Sequence, residues 1–453
     1  MAQASPDMEL QAALGEGNDA RLAAVVAALQ PADLAAFLSA EGRNDPALAE
    51  QLLAHLTLSE RARAFGYLDA TLQARVAARL SPTALARLLG KMDADERADL
   101  FKLVNEDVQE AALRQMAREE REDLRRLASY EEGTGGALMT SDYVAVPENL
   151  TVAAALQAVR STAPDAETIY QVYIIDHEHR LQGTVSLREL ILGLPDQPLD
   201  ELMRTELVTG QVDTAQEEVA RLISRYDLLA LPILDADQRL VGIVTHDDAM
   251  DVAAEEATED MHKAATIGKL HRGIGQSGLL ELYRKRIVWL VLLVFANILS
   301  GFGIAHFEAT IEAYIVLVFF LPLLVDSSGN AGSQAATLMV RGLATGDVQL
   351  RQWGRHFGRE LLVAGALGLT MAAAVSILGV LRGGPDIAFV VATSMIAVVI
   401  MGSLIGMSLP FLLSRVGWDP ATASAPLVTS IADAVGVVLY FSIATATLGL
   451  PGA

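Results

Sequence analysis

The stretch SAPLVTSIADAVGVVLYFSIA, residues 424–444, is apolar enough for a membrane helix, yet it carries Asp433. A carboxylate in hydrocarbon is costly unless it faces polar groups. No Lys or Arg lies in the central part of any apolar stretch of this chain to pair with it. An unpaired buried carboxylate takes up a proton or destabilises the fold. Two readings stand: a protonated Asp used in packing, or a carboxylate facing water and a cation. Thr429 and Ser430 share a helical face with Asp433 and could line the same path, which favours the second reading.

A second loaded stretch is FFLPLLVDSSGNAGSQAATLMVRGLATGD, residues 319–347. Pro322, Gly329 and Gly332 are expected to interrupt its helix, and Asp326, Ser327, Ser328, Asn330, Ser333 and Gln334 make its middle polar. Irregular polar backbone at membrane depth is tolerated only where it is buried in protein or lines a wet cavity. A small-residue packing seam accounts for the glycines, but not for the density of oxygens and amides. A third is DDAMDVAAEEATED, residues 247–260. Asp248, Asp251, Glu255 and Glu259 fall at i, i+3, i+7 and i+11, on one helical stripe. Like charges so spaced oppose the helix unless neutralised. Such a run is either a solvated face or a set of oxygen ligands of the kind Mg2+ and Ca2+ prefer.

The elements that must position these residues divide the chain sharply. Residues 287–453 hold 8 acids and 6 bases; subtracting from 56 and 34 leaves 48 acids and 28 bases before them, a net charge of −20. The acidic part repels nucleic acid and attracts cations. With no cysteine, disulfides, thiolate metal sites and a Cys nucleophile are excluded. The opening MAQASPDMELQAALGEG lacks the basic and apolar regions of a signal peptide.

Five spans are predicted near 287–306, 312–340, 358–380, 387–413 and 424–449, each long enough for about 30 Å of hydrocarbon. Arg284, Lys285 and Arg286 before the first span, and Arg341, Arg351, Arg355 and Arg359 between the second and third, place those loops in the cytoplasm. The expectation is a multi-pass protein of the plasma (inner) membrane, with the N-terminal domains inside and the tail LPGA outside.

Residues 1–130 place Leu and Ala at helical spacing between start signals such as Pro31, Ser81-Pro82 and Asp93, which predicts stacked helical hairpins in a small superhelix. An internal repeat follows: VYIIDHEHRLQGTVSLRELI aligns with LPILDADQRLVGIVTHDDAM at an offset of 59. Each copy reads strand, turn, strand, helix. The pair resembles tandem CBS domains. In that family the acid of the Ser/Thr-x-x-acid turn often holds a nucleotide ribose, which makes Ser186, Glu189, Thr245 and Asp248 a candidate ATP site; the bland alternative is a structural turn. Glu189 replaces the usual Asp, and there is no Walker-type loop.

The whole chain resembles the MgtE family of magnesium channels, most specifically in GNAGSQAATLMVRGLATGD, in YDLLALPILDADQRLVGIVTHDDAMDVAAEEATEDMHK and in WDPATASAPLVTSIADAVGVVLY. The resemblance implies a multi-domain chain. Its parts are an all-α helical N domain (1–130), α+β tandem CBS domains (131–200 and 201–250), a connecting plug helix (251–284) and an all-α five-helix transmembrane domain (285–453).

It also implies a homodimer in lipid with one pore on its two-fold axis. Asp433 matches the family's pore aspartate, and Gly329, Asn330 and Ser333 lie in the segment that lines the same region. Where the family often has Gly-Gly-Asn, this chain has Ser328-Gly329-Asn330, and Ser333 stands where some members carry a second Asn. Several regulatory Mg2+ ions per subunit are implied, at Asp95, Asp99, Glu217, Asp227, Asp248, Asp251, Glu256, Glu259, Asp260 and Asp419. A secondary divalent-cation transporter is the alternative. An enzyme is not expected, because no His-Glu-x-x-His arrangement or base for a serine nucleophile is present at membrane depth.

Overall fold

Strong start signals cut the N-terminal part into short helices. Pro stands at the first turn after the caps Asp45 and Ser81, Thr57 and Glu60 form a capping box, and Asp69 caps the helix after it. Such caps satisfy the amides that a helix start leaves unpaired. The computed structural model describes residues 6–41, 45–164, 166–268 and 278–449, in two units, Met1–Ala254 and Glu255–Ala453. The tail 450–453 and the 269–277 part of the expected connecting segment lie outside the described residues.

In the first unit, α1 to α10 are Pro6–Glu16, Asp19–Ala28, Pro31–Glu41, Pro46–Ala54, Leu58–Gly66, Ala70–Ala77, Pro82–Leu89, Ala94–Leu103, Glu106–Leu113 and Arg118–Ala128. From α3 to α10 each helix packs on the next but one, the stacking expected of a superhelix. Leu34, Leu38, Leu52, Phe65 and Leu72 are fully buried along its axis.

Two like modules follow. Ahead of the first, α11 (Gly135–Leu138) packs on the sheet of the second. The first holds β1 (Ala145–Pro147), α12 (Val152–Thr162), β2 (Gln171–Ile175), β3 (Leu181–Ser186) and α13 (Leu187–Leu192). The second holds β4 (Gly210–Gln211), α14 (Gln216–Tyr226), β5 (Ala230–Leu234), β6 (Leu240–Thr245) and α15 (His246–Ala264). Each sheet is a parallel pair extended by an antiparallel hairpin, in the order β1-β2-β3 and β4-β5-β6. The hairpins keep the offset read from the repeat, for a local reason. Asp176 Oδ1 accepts from the amides of Glu178 and Arg180, and Asp235 Oδ1 from those of Asp237 and Arg239. These side-chain caps hold the turn in which His179 and Gln238 each take φ 63°.

In the second unit, α16 is Leu279–His306, α17 Glu308–Ala313, α18 Val316–Ala344, α19 Trp353–Arg415 and α20 Ala425–Leu448. Two expectations change here. The helix α18 is continuous through Gly329 and Gly332, with Pro322 inside it, because a chain in hydrocarbon must pair its own backbone groups. A sharp break falls at Gly384 (φ 81°, ψ −177°) within α19, in the gap expected between the third and fourth spans. The stretch Leu350–Arg415 has 66 residues, about 100 Å of helix and enough for two crossings of about 30 Å. A Cβ at Gly368 would lie 3.0 Å from the Ile396 Cα, and one at Gly379 2.6 Å from the Ala388 Cα. The two halves therefore fold back on each other as an antiparallel hairpin. The helix α15 occupies His246–Ala264, so it starts inside the range expected for the second repeat and stops short of 284.

Candidate ion pathway and ion-sensing surfaces

Asp433 is two turns into α20, whose start is fixed by Ser424 at the cap and Pro426 in the first turn. Its Oδ1 is buried and has no hydrogen-bond partner among the described residues. The Asp326 carboxylate on α18 is near enough to act on it through charge. Asn330 Nδ2 donates to Asp326 Oδ2 at 2.9 Å, which ties the amide one turn along to that carboxylate. Ser333 Oγ lies 3.2 Å from Thr429 Oγ1 and 3.4 Å from the Ala425 carbonyl oxygen.

The glycines serve close approach. A Cβ at Gly329 would be 2.8 Å from Thr429 Cγ2, and one at Gly332 2.7 Å from the Gly402 carbonyl oxygen. Gly406 in turn sits against the Gly332 backbone. The packing-seam reading therefore accounts for the glycines, and Ser327 Oγ and Ser328 Oγ donate to the Leu323 and Val398 carbonyls; Asp326, held by Asn330, is the group left to act on Asp433. Asp326 was read only as one of several polar residues; its i, i+4, i+7 spacing with Asn330 and Ser333 was the signal that could have singled it out.

In the first unit, Asp93 caps the start of α8 without a side-chain hydrogen bond to it. Its carboxyl is instead part of an acidic group. Burial and then the Asp248 charge push Asp95 up to about 7. Burial, then Asp95, Asp93 and Asp248, push Glu96 up to about 8. Glu167 is exposed as a residue, yet desolvation of its carboxyl and the charges of Asp93, Asp95, Asp248 and Asp247 push it up to about 9. Burial also raises Asp248, against a hydrogen bond from Thr245. Asp99 is exposed as a residue, yet desolvation of its carboxyl raises it too, against Lys102 at 3.5 Å. Glu167 escapes sequence reading because only the tertiary fold brings it to Asp95; Glu96 adjoins Asp95 in the chain, but the burial of its carboxyl is set by packing.

The other expected regulatory acids are placed differently. Glu217 lies in the first turn of α14 and Asp227 at its C-cap, with φ 51°. Eleven residues of helix separate them by about 15 Å, so one chain cannot bring both to one ion. Asp251 is exposed on α15. In the second unit, Lys263 Nζ donates to Asp419 Oδ2 at 2.6 Å and lies 2.9 Å from Glu259 Oε1. Burial opposes the lysine's charge, but the two carboxylates outweigh it and hold Lys263 above the ordinary lysine value. Burial, then Asp419, raise Asp260, with Glu256 and Glu259 adding to it. Among the described residues no three acids or histidines converge into a ready metal cage.

At the candidate nucleotide turns the bland reading has clear partners. Ser186 N and Oγ donate to Glu189 Oε2 at 2.9 and 2.7 Å, and Glu189 N donates back to Ser186 Oγ. Arg204 Nη2 holds the other carboxylate oxygen at 2.9 Å. Thr245 Oγ1 likewise donates to Asp248 Oδ2.

Comparison with known proteins agrees with this architecture. Residues 321–443 match the MgtE profile, described as a divalent cation transporter; residues 29–133 match the MgtE intracellular N domain, and residues 136–196 and 199–255 match CBS domains. The magnesium transporter MgtE of Thermus thermophilus is 43% identical over 318 residues, 70% of this chain and 71% of that protein. The chain belongs to the MgtE family. The magnesium transporter MgtE of Bacillus subtilis is 36% identical over 71% of this chain and 71% of that protein. A crystal structure of the cytosolic domain of the Mg2+ channel MgtE in complex with ATP is 37% identical, with a TM-score of 0.50, covering 54% of this chain and 99% of that one. The soluble part of a magnesium transporter matches with 31% identity and a TM-score of 0.50, covering 56% of this chain and 98% of that one. In this MgtE chain a helical N domain and a CBS pair precede a helical region long and apolar enough to cross a membrane.

Proposed function

We propose that this MgtE family member is a homodimeric Mg2+ channel for magnesium uptake across the plasma (inner) membrane, with its N-terminal domains in the cytoplasm and its C-terminus outside. The domain division follows the ranges expected from sequence, 1–130, 131–200, 201–250, 251–284 and 285–453. The observation that carries the proposal is the Asp433 carboxylate: one oxygen buried, with neither a hydrogen-bond partner nor a base beside it among the described residues, and a second carboxylate, Asp326, near enough to act on it through charge. Mg2+ sheds water reluctantly and keeps several waters. A few carboxylates, hydroxyls and an amide suit a hydrated ion that must also leave. Gly329, Asn330 and Ser333 line that path.

Cytoplasmic Mg2+ closes the channel by binding the acids of the N domain, the CBS pair and the connecting helix. Asp95, Asp99, Asp248, Asp251, Glu217 and Asp227, with Glu256, Glu259, Asp260 and Asp419, supply the oxygens, several ions to a subunit. This requires Mg2+ to prefer the closed form. ATP at Ser186, Glu189, Thr245 and Asp248 draws support from the ATP-bound cytosolic relative; it would have to compete with the capping contacts of Glu189 and Asp248.

The exchanger alternative loses the broken helix that suits such transporters, because α18 is continuous. The test is Mg2+ flux into liposomes holding wild type and Asp433→Ala. Loss of at least tenfold in the variant is expected, with its thermal melting unchanged. Equal flux would refute the pore reading, and a current too small for a channel would favour exchange.

A further inference from the structure

We propose a binding site for one anionic phospholipid of the cytoplasmic leaflet between the 350–353 turn, the C-terminal end of α19 and α20. A cavity of about 720 Å3 opens there. Its walls are apolar, with Trp353, Leu409, Phe411, Leu412 and Ile431 among them, and two guanidinium groups, Arg351 and Arg415, line it as well. Arg351 Nε donates only to the neutral Gln349 side chain, at 3.1 Å. Neither arginine makes an ion pair among the described residues.

The end of α19 would ordinarily compete for Arg415, because terminal carbonyls attract a cation. Here those carbonyls already have partners: the amides of Val416, Gly417 and Trp418 donate to Leu412, Leu413 and Ser414. The Arg415 side chain is left to the cavity. Two unpaired cations beside an apolar cleft, next to a tryptophan of the kind found at membrane interfaces, complement a phosphate headgroup with an acyl chain behind it. A free phosphate has no use for the apolar walls. A zwitterionic lipid brings an ammonium toward the arginines. The site rests on the cytoplasmic placement proposed above and not on ion conduction, so it stands or falls separately from the channel reading.

The test is native mass spectrometry of delipidated full-length protein titrated with phosphatidylglycerol, with phosphatidylcholine as the comparison. The expected result is preferential retention of phosphatidylglycerol, weakened about tenfold in R351Q/R415Q. The pair R341Q/R355Q removes equal charge outside the cavity and is expected to leave binding unchanged. L409W fills the cavity with both arginines intact and is expected to weaken binding as well, which covers the case of a poorly folded double variant. Equal weakening in the two arginine pairs overturns the proposal. So does equal retention of the two lipids, or a photo-crosslinker at Leu412 that captures a second copy of the chain instead of lipid.

Discussion

Around Asp95 the carboxyls of Asp93, Glu96, Asp248 and Glu167 crowd together, and the bases that reach in, Arg63 and Arg97, act on Asp93. Around Asp419 the acids are as dense, but Lys263 sits between two of them at hydrogen-bond distance. The first group relieves its repulsion by holding protons above the usual carboxylate range. The second has a cation built in. An incoming Mg2+ therefore meets protons in one place and a tethered ammonium in the other. The two surfaces should answer differently to pH, to charge removal and to Mg2+ itself.

The largest effect is expected from Asp95→Asn with Asp248→Asn. Removing both charges lowers the repulsion that Mg2+ would otherwise screen, leaving Asp93, Glu96 and Glu167 in the group. In chelator, the double variant should resist limited proteolysis of its N-terminal part about tenfold better than wild type, and added Mg2+ should protect it less than twofold further. If Mg2+ still protected it tenfold, these acids would not be the ones that sense the ion.

A second test uses pH. Folded Asp95, Glu96 and Glu167 hold protons up to about 7, 8 and 9, whereas unfolded carboxyls lose theirs near 4. Between those limits the folded state binds more protons, so raising pH destabilises it. Full-length protein in chelator should become several-fold more protease-sensitive in its N-terminal part between pH 6 and 9. The Mg2+ concentration for half-protection should fall over the same range, as protons stop competing. A flat profile would remove the contrast with Lys263, whose charge persists throughout.

The smallest effect is expected from Lys263→Met. It frees Asp419 from the ammonium that competes with an external cation, and the Mg2+ needed to halve channel current should drop two- to fivefold. A rise instead would mean that the lysine supports the closed form more than it competes with the ion.

Sequence carried the hairpins further than the membrane helices. The Asp-x-x-x-Arg pattern at 176–180 and 235–239 builds its own turn from side-chain to backbone bonds within five residues, so an offset of 59 became two superimposable sheets. In α18 the same local reasoning misread Pro322, Gly329 and Gly332 as breaks. Their role depends on Gly402, Gly406 and Thr429, residues far away in the chain. The break that mattered, Gly384, falls in the gap 381–386 between the third and fourth predicted spans, where Gly383-Gly384-Pro385 is a local turn signal. Asp433 was legible because a lone acid in an apolar run is conspicuous. Its neighbour Asp326 needed the packing of α18 on α20.

The glycine seam bears on mechanics. Where Gly332 meets Gly402 and Gly406 the two backbones touch, and beside them Ser328 Oγ donates to the Val398 carbonyl across the seam, so close backbone contact and a hydrogen bond tie the two helices together. The second half of α19 and α18 then behave as a single beam. A conduit bounded by that beam can change its width only by tilting the beam whole or by shifting α20 against it, at the contact where Thr429 meets Gly329 and Ser333.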